Sequence, residues 1–249
     1  MKTVPLQEIP PLSGPLPAES AITGQYVPPI ERLRIMSPAQ WEDFVLEWAH
    51  SLKHKYEVVE RCGSAGDQGR DVVAYKTKSD PAVWDNYQCK QYPKPLTPGD
   101  IWIELGKLCY YTFIGEYLSP REYYFVAPHG AGNSLSKLLR NATLLRSGLI
   151  KEWDNHCRTK ITSTKEIALE DKLLAHITAF NFSNIHALSP LTIIDQHRLT
   201  PWHVTRFGGG LPARPMAPTP PATVGSHEAN YVRARLMRTK NVSRFNFPH

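Results

Sequence analysis

Between Ser37 and Ala127 the apolar residues change their spacing in a set order, and that order restricts the fold more than any other feature of the chain. Trp41, Phe44, Val45, Trp48, Ala49 and Leu52 recur at the spacing of one helical face. Ser37 stands before Pro38, with Gln40 three residues after it, the pattern of a reciprocal N-terminal cap. A helix is therefore predicted from Ser37 to about His54. Three short runs rich in β-branched and aromatic residues follow, Tyr56 to Arg61, Asp71 to Lys76 and Trp84 to Lys90, parted by glycine-rich and Asp-Pro turn signals. They read as consecutive strands. Thr97, Pro98 and Asp100 open a second helix with Ile101, Leu105, Leu108 and Cys109 on one face, and a buried strand is expected at about Glu122 to Ala127. Helix, three strands, helix, strand predicts the α/β class, a mixed sheet covered by helices.

Outside this stretch the signals change. Residues 1–30 hold seven prolines, which block both helix and sheet ladders and predict an extended arm. After the loop Pro128 to Asn133, Ser134 starts a helix bearing Leu135, Leu138 and Leu139, and Ser163 with Glu166 marks another that ends near Phe180. From Thr200 onward, Gly208, Gly209 and Gly210 and the prolines at 212, 215, 218, 220 and 221 predict a long irregular connection before a basic helix at about Glu228 to Arg238.

A chain of 249 residues suits one domain of roughly 150 residues with extensions. Its 41% hydrophobic and 21% charged content excludes collagen-like, coiled-coil and wholly disordered chains. No run approaches the roughly 20 apolar residues of a membrane span, and the first residues lack the apolar run of a signal peptide, so a cytoplasmic location without membrane contact is expected. Cys62, Cys89, Cys109 and Cys157 lie far apart without a C-x-x-C pair and read as reduced thiols. The histidines show no zinc-binding spacing. Of the net charge of +6, the segment 227–249 carries +4, because Arg233, Arg235, Arg238, Lys240 and Arg244 face only Glu228. The body is nearly neutral, so charge there is no argument for nucleic acid.

Chemistry concentrates at residues 63–75 and 84–92. Asp71 begins one predicted strand, and Gln88, Cys89 and Lys90 end the next, so a hairpin can bring them together. Side chains two apart share a face, which sets Gln88 and Lys90 on one side and Cys89 on the other. A carboxylate, an amide oxygen and an ammonium on one face suit phosphodiester hydrolysis. Mg²⁺ or Mn²⁺ takes oxygen ligands, for which Asp71, the Gln88 side-chain oxygen, the Cys89 backbone carbonyl and a substrate phosphate are candidates. Lys90 would orient the nucleophile or neutralise developing charge. Glu42 is a candidate further ligand or base, and Arg70 and Lys94 are candidate phosphate contacts. Asp67 and Gly69 read as turn residues, and the loop His129 to Gly132 as a tight turn rather than a phosphate cradle.

The pattern Glu42, then Gly66-Asp67-x-Gly69-x-Asp71, then Gln88-x-Lys90 resembles Mrr-type members of the PD-(D/E)xK superfamily, in which glutamine often replaces the acidic residue before x-Lys. The resemblance spans about residues 37–127. It implies a restriction-endonuclease-like core, with Asp71 as metal ligand, Gln88 at the variant second position, Lys90 as catalytic lysine and Glu42 as the helix carboxylate. The neutral Gln88 leaves fewer protein charges on the metal than an acid would. A second resemblance joins this core to the downstream RFGGGLPARP and Pro-Pro stretches and is similar to the nuclease subunits of Lamassu-type and ABC-three-component antiphage systems, related to the effector nucleases of CBASS. It implies cleavage of double-stranded DNA, a partner complex of an SMC- or Rad50-like ATPase with an accessory subunit, and activity as a homo-oligomer. Residues 31–160 would then be the nuclease domain, 161–200 a helical extension, and 201–249 a linker and tail contacting a partner or another copy. Two rivals stand beside this reading: a stand-alone Mrr-like restriction endonuclease, and a catalytically silent DNA-binding or assembly subunit.

Overall fold

In the computed structural model, which describes residues 27–62, 68–79 and 81–208, the chain enters through a short helix, α1 (Pro29–Arg34), whose leading proline suits a first turn. The arm expected to stay extended as far as residue 30 thus gives way to helix at Pro29. Next comes α2 (Pro38–Ser51), capped as its sequence demands: the Ser37 hydroxyl accepts from the Gln40 N–H at 3.3 Å, and the Gln40 side chain accepts from the Ser37 N–H at 2.9 Å. Three strands follow, β1 (Val58–Arg61), β2 (Val72–Thr77) and β3 (Val83–Cys89), within one or two residues of the predicted runs. A 3₁₀ turn (Pro98–Asp100), held by Asp100 bonds to the Thr97 N–H and hydroxyl, leads into α3 (Trp102–Phe113). Strand β4 (Glu122–Val126), then helices α4 (Asn133–Leu139), α5 (Ala142–His156) and α6 (Asp171–Ala179), precede β5 (Ile185–Leu188), α7 (Pro190–His197) and α8 (Trp202–Phe207).

The strands form one open mixed sheet in the order β1-β2-β3-β4-β5. The pairs β1–β2 and β2–β3 are antiparallel, whereas β3–β4 and β4–β5 are parallel. Helices cover both faces. On one, α1, α2, α7 and α8 pack Trp41, Phe44, Val45, Trp48 and Ile193 against Val72, Ala74, Tyr87 and Val126. On the other, α3, α4, α5 and α6 pack Leu105, Leu108, Leu135, Leu149, Trp153 and Ile177 against Tyr123, Phe125 and Ile185. Cys109 and Cys157 are buried thiols within this second layer.

Three expectations change. Ser163 and Glu166 do not cap a helix. The Thr162 hydroxyl instead accepts from the Lys165 N–H and donates to the Lys165 carbonyl, Glu166 pairs with Arg158, and α6 begins only at Asp171. A polar side chain that can close a local turn competes with its own capping role. Residues 161–200, expected as a helical extension, supply β5 and so complete the sheet. The irregular segment expected from Thr200 begins with helix α8, whose Arg206 binds Glu47 on α2 at 2.5 and 2.7 Å. The proline-rich residues before Val27, Asp67, and the Gly/Pro-rich stretch with the basic tail from residue 209 lie outside the described residues.

α3 and α5 come close at Gly106, where an added Cβ would sit 2.5 Å from Cys157 Sγ. Gly106→Ala gains helix propensity but overpacks this contact, which costs about 1–3 kcal/mol. A lowered urea midpoint is expected, and a raised one would mean that the two helices can part at no cost.

Candidate active site

Asp71 lies one residue before β2 and directly opposite Gln88, because Val72 pairs with Tyr87. Its Oδ2 accepts two hydrogen bonds, from Gln88 Nε2 at 2.7 Å and from the Cys89 backbone N–H at 2.7 Å. The carboxylate thereby takes a donor at the end of β3 and fixes that end against the start of β2. Cys89 faces the α2 layer, whereas Gln88 meets Tyr123 from the α3 layer, as the two-residue period requires.

Gln88 is almost fully buried and spends both ends of its amide. Nε2 reaches Asp71, and Oε1 accepts from the Tyr123 hydroxyl at 3.1 Å and, more weakly, from Asn86 Nδ2 at 3.5 Å. The side-chain oxygen expected beside Asp71 therefore points to Tyr123. Turning the amide over would set Oε1 against the Asp71 carboxylate, two acceptors facing each other, which becomes favourable only with a cation between them. Tyr123 tolerates the turn, since a hydroxyl both donates and accepts.

Lys90 leaves β3 with its N–H on the Val126 carbonyl at 2.8 Å, the same oxygen that receives Trp41 Nε1 at 3.2 Å. Its side chain reaches the α3 side and pairs with Glu104, Nζ to Oε1 at 2.5 Å. Burial opposes the Lys90 charge, but Glu104 outweighs it and raises the ammonium above its usual range, with Asp71 adding to the effect. For Glu104, burial likewise opposes the charge, and Lys90 and Lys107 outweigh it, holding the carboxyl below the usual value of 4.5. Glu104 is not among the residues that the sequence pattern singles out, yet it carries a signal: it shares a face with Ile101, Leu105 and Leu108, and a carboxylate there must be paired.

Glu42 lies in the opposite layer. It binds Arg61 of β1 at 3.0 and 2.6 Å, while Asp43 takes the same guanidinium at 2.6 Å. Burial pushes the Cys89 thiol well up in pKa, with the Asp71 and Glu42 carboxylates adding to the effect. Arg70 stacks on Tyr117, 4.6 Å from the ring centre, and its Nη2 reaches Gln68 Oε1 at 3.3 Å. Lys94 is exposed on the bend beyond β3. The turn before β4's following helix holds Gly130 at φ +65°, as its reading as a tight turn requires.

The oxygen donors that meet here are the Asp71 carboxylate and, after turning, Gln88, while the Cys89 backbone beside them presents its N–H to Asp71. Such a set suits Mg²⁺, which needs only one or two carboxylates and keeps several waters. Among the described residues no three His, Cys, Asp or Glu side chains converge. Comparisons of the chain with protein-family models, with curated proteins and with solved structures found no match.

The depressed Glu104 pKa fixes the sign of an acid effect. Its contribution to stability is complete above the unfolded value and is lost as pH falls through the lower folded value. The difference in unfolding free energy between wild type and Glu104→Gln should therefore shrink as pH drops from neutral to about 3. A constant difference in urea unfolding across that range would contradict the ion pair.

Proposed function

We propose that this chain is a metal-dependent endonuclease with a restriction-endonuclease-like core, hydrolysing phosphodiester bonds of double-stranded DNA. The observation that carries the reading is the meeting of Asp71, Gln88 and the Cys89 backbone where β2 begins and β3 ends, with the Lys90 side chain on the same side of the sheet as Gln88. The element order supports it, since a capped helix, three antiparallel strands, a helix and a parallel fourth strand lead to this corner.

Asp71, the Cys89 carbonyl and a turned Gln88 would hold Mg²⁺ or Mn²⁺, with substrate phosphate and waters completing the shell. Bound there, the ion supplies a water of lowered pKa and positive charge against the phosphate. Lys90 keeps its proton, as the Glu104 carboxylate beside it requires, and donates to a phosphate oxygen, neutralising charge that grows as the bond breaks. It serves as an electrostatic donor rather than a base. Asp71, in accepting from the Cys89 N–H, keeps the strand end in register, and its bond from Gln88 is given up when that amide turns. Glu42 joins this set only by releasing Arg61. Service as the effector of an antiphage system, partnered by an SMC- or Rad50-like ATPase complex and acting as a homo-oligomer, rests on the sequence likeness described above.

Purified protein given linear and supercoiled double-stranded DNA should cut it with Mg²⁺ or Mn²⁺, and Asp71→Ala or Lys90→Ala should lower the rate by about 100-fold or more while the protein stays folded. Gln88→Glu, which adds a ligand charge, should keep cutting, whereas Gln88→Ala should lose it. Full activity of Gln88→Ala would remove the amide from the site. Tight DNA binding without cleavage under either metal would favour a silent binding subunit.

A further inference from the structure

Three charges form a chain between the end of β3 and α3. Lys90 Nζ lies 2.5 Å from Glu104 Oε1, and Lys107 Nζ lies 3.3 Å from Glu104 Oε2. The Lys90 and Glu104 side chains are only 14% and 6% exposed. The loop before Asp71 rests on them: at Gly69, φ +82°, an added Cβ would come 3.1 Å from Lys107 Cβ and 3.5 Å from Glu104 Oε2.

A lysine is a compact charge on a four-carbon stem with large rotamer freedom. An ammonium that must meet one phosphate oxygen loses rate if it wanders, so a fixed carboxylate that holds it in advance is worth more than the bond alone. Glu104 is suited to that task. It projects from a helix packed into the core, and Lys107, one turn further on, sets its charge 3.3 Å from the second oxygen. The trio keeps a net charge of +1, so the pairing does not cancel its attraction for a phosphate. Desolvation offsets much of the attraction between two buried ions, so stability alone does not account for the placing of this pair beside the strand end.

We infer that Glu104 is a positioning residue that holds the Lys90 ammonium in its working orientation, with Lys107 fixing Glu104 and the Gly69 backbone closing over the pair. The inference takes from the nuclease reading what Lys90 does to substrate. The fixing of Lys90 can be measured without cleavage.

The experiment is nitrogen-detected NMR of the lysine ammonium groups in the intact protein at mildly acidic pH, with the Lys90 signal assigned by its loss in Lys90→Arg. In wild type Lys90 should give an ordered ammonium resonance, and Glu104→Gln should abolish it. Single-turnover DNA cleavage by Glu104→Gln should fall about 10–100-fold with DNA affinity in Ca²⁺ unchanged. Persistence of the resonance in Glu104→Gln, or wild-type cleavage by it, overturns the inference. Should Glu104→Gln fail to fold, Lys107→Met replaces it: it should broaden the Lys90 resonance, and an unaltered signal overturns the role of the trio. A wild type that gives the Glu104-dependent resonance yet never cuts DNA would sink the nuclease reading while supporting the fixing of Lys90.

Discussion

The central strand β3 buries Asp85 and Gln88, and a buried polar side chain is costly unless a partner meets it. On the α2 side, Asp85 receives the Arg121 guanidinium and the Tyr56 hydroxyl, the latter at 2.5 Å. On the α3 side, Gln88 takes Asp71 and Tyr123. These partners come from the turn before β1, the start of β2, and the start and body of β4. Satisfying one strand therefore sets the register of the strands around it. A slip of one residue would carry Asp85 to the layer that has no Arg121 and Gln88 to the layer that has no Tyr123.

The candidate site follows from this arrangement. With Gln88 fixed between Asp71 and Tyr123, the next residues emerge at the corner where β2 starts and where the parallel pair β3–β4 ends. Alternation then distributes the charges. Cys89 turns to the α2 layer, where Glu42 and Arg61 pair, and Lys90 turns to the α3 layer, where Glu104 waits. Each cation beside the strand end is met by a carboxylate from a different helix. The two pairs differ in burial: Arg61 and Glu42 remain partly open to water, where an ion pair contributes little, while Lys90 and Glu104 are nearly enclosed.

Much of the fold could be read from local pattern. The Ser37 cap, the face of α2, strands β1 to β4 and the turn into α3 all carry their signal within a few residues, and the structure places them where that signal lies. β5 gave no such signal. Ile185, His186, Ala187 and Leu188 show neither β-branched enrichment nor clean alternation, and they become a strand because β4 offers them a parallel edge. The expected helix start at Ser163 failed for the converse reason: Thr162 closes a local turn with Lys165, and Glu166 pairs with Arg158.

For this protein the sequence by itself determined the order of elements from Ser37 to Val126 and the placement of Asp71, Gln88 and Lys90 at strand ends, because caps, turns and alternation act over short distances. Tertiary structure alone decided what those side chains touch. That Gln88 points its oxygen to Tyr123, that Glu42 is taken by Arg61, and that Lys90 is held by Glu104 depends on which helix covers which face of the sheet. Contacts of that kind join residues 14 to 35 positions apart. Pairings over such distances are chosen by the packing of whole layers, which no short-range pattern encodes.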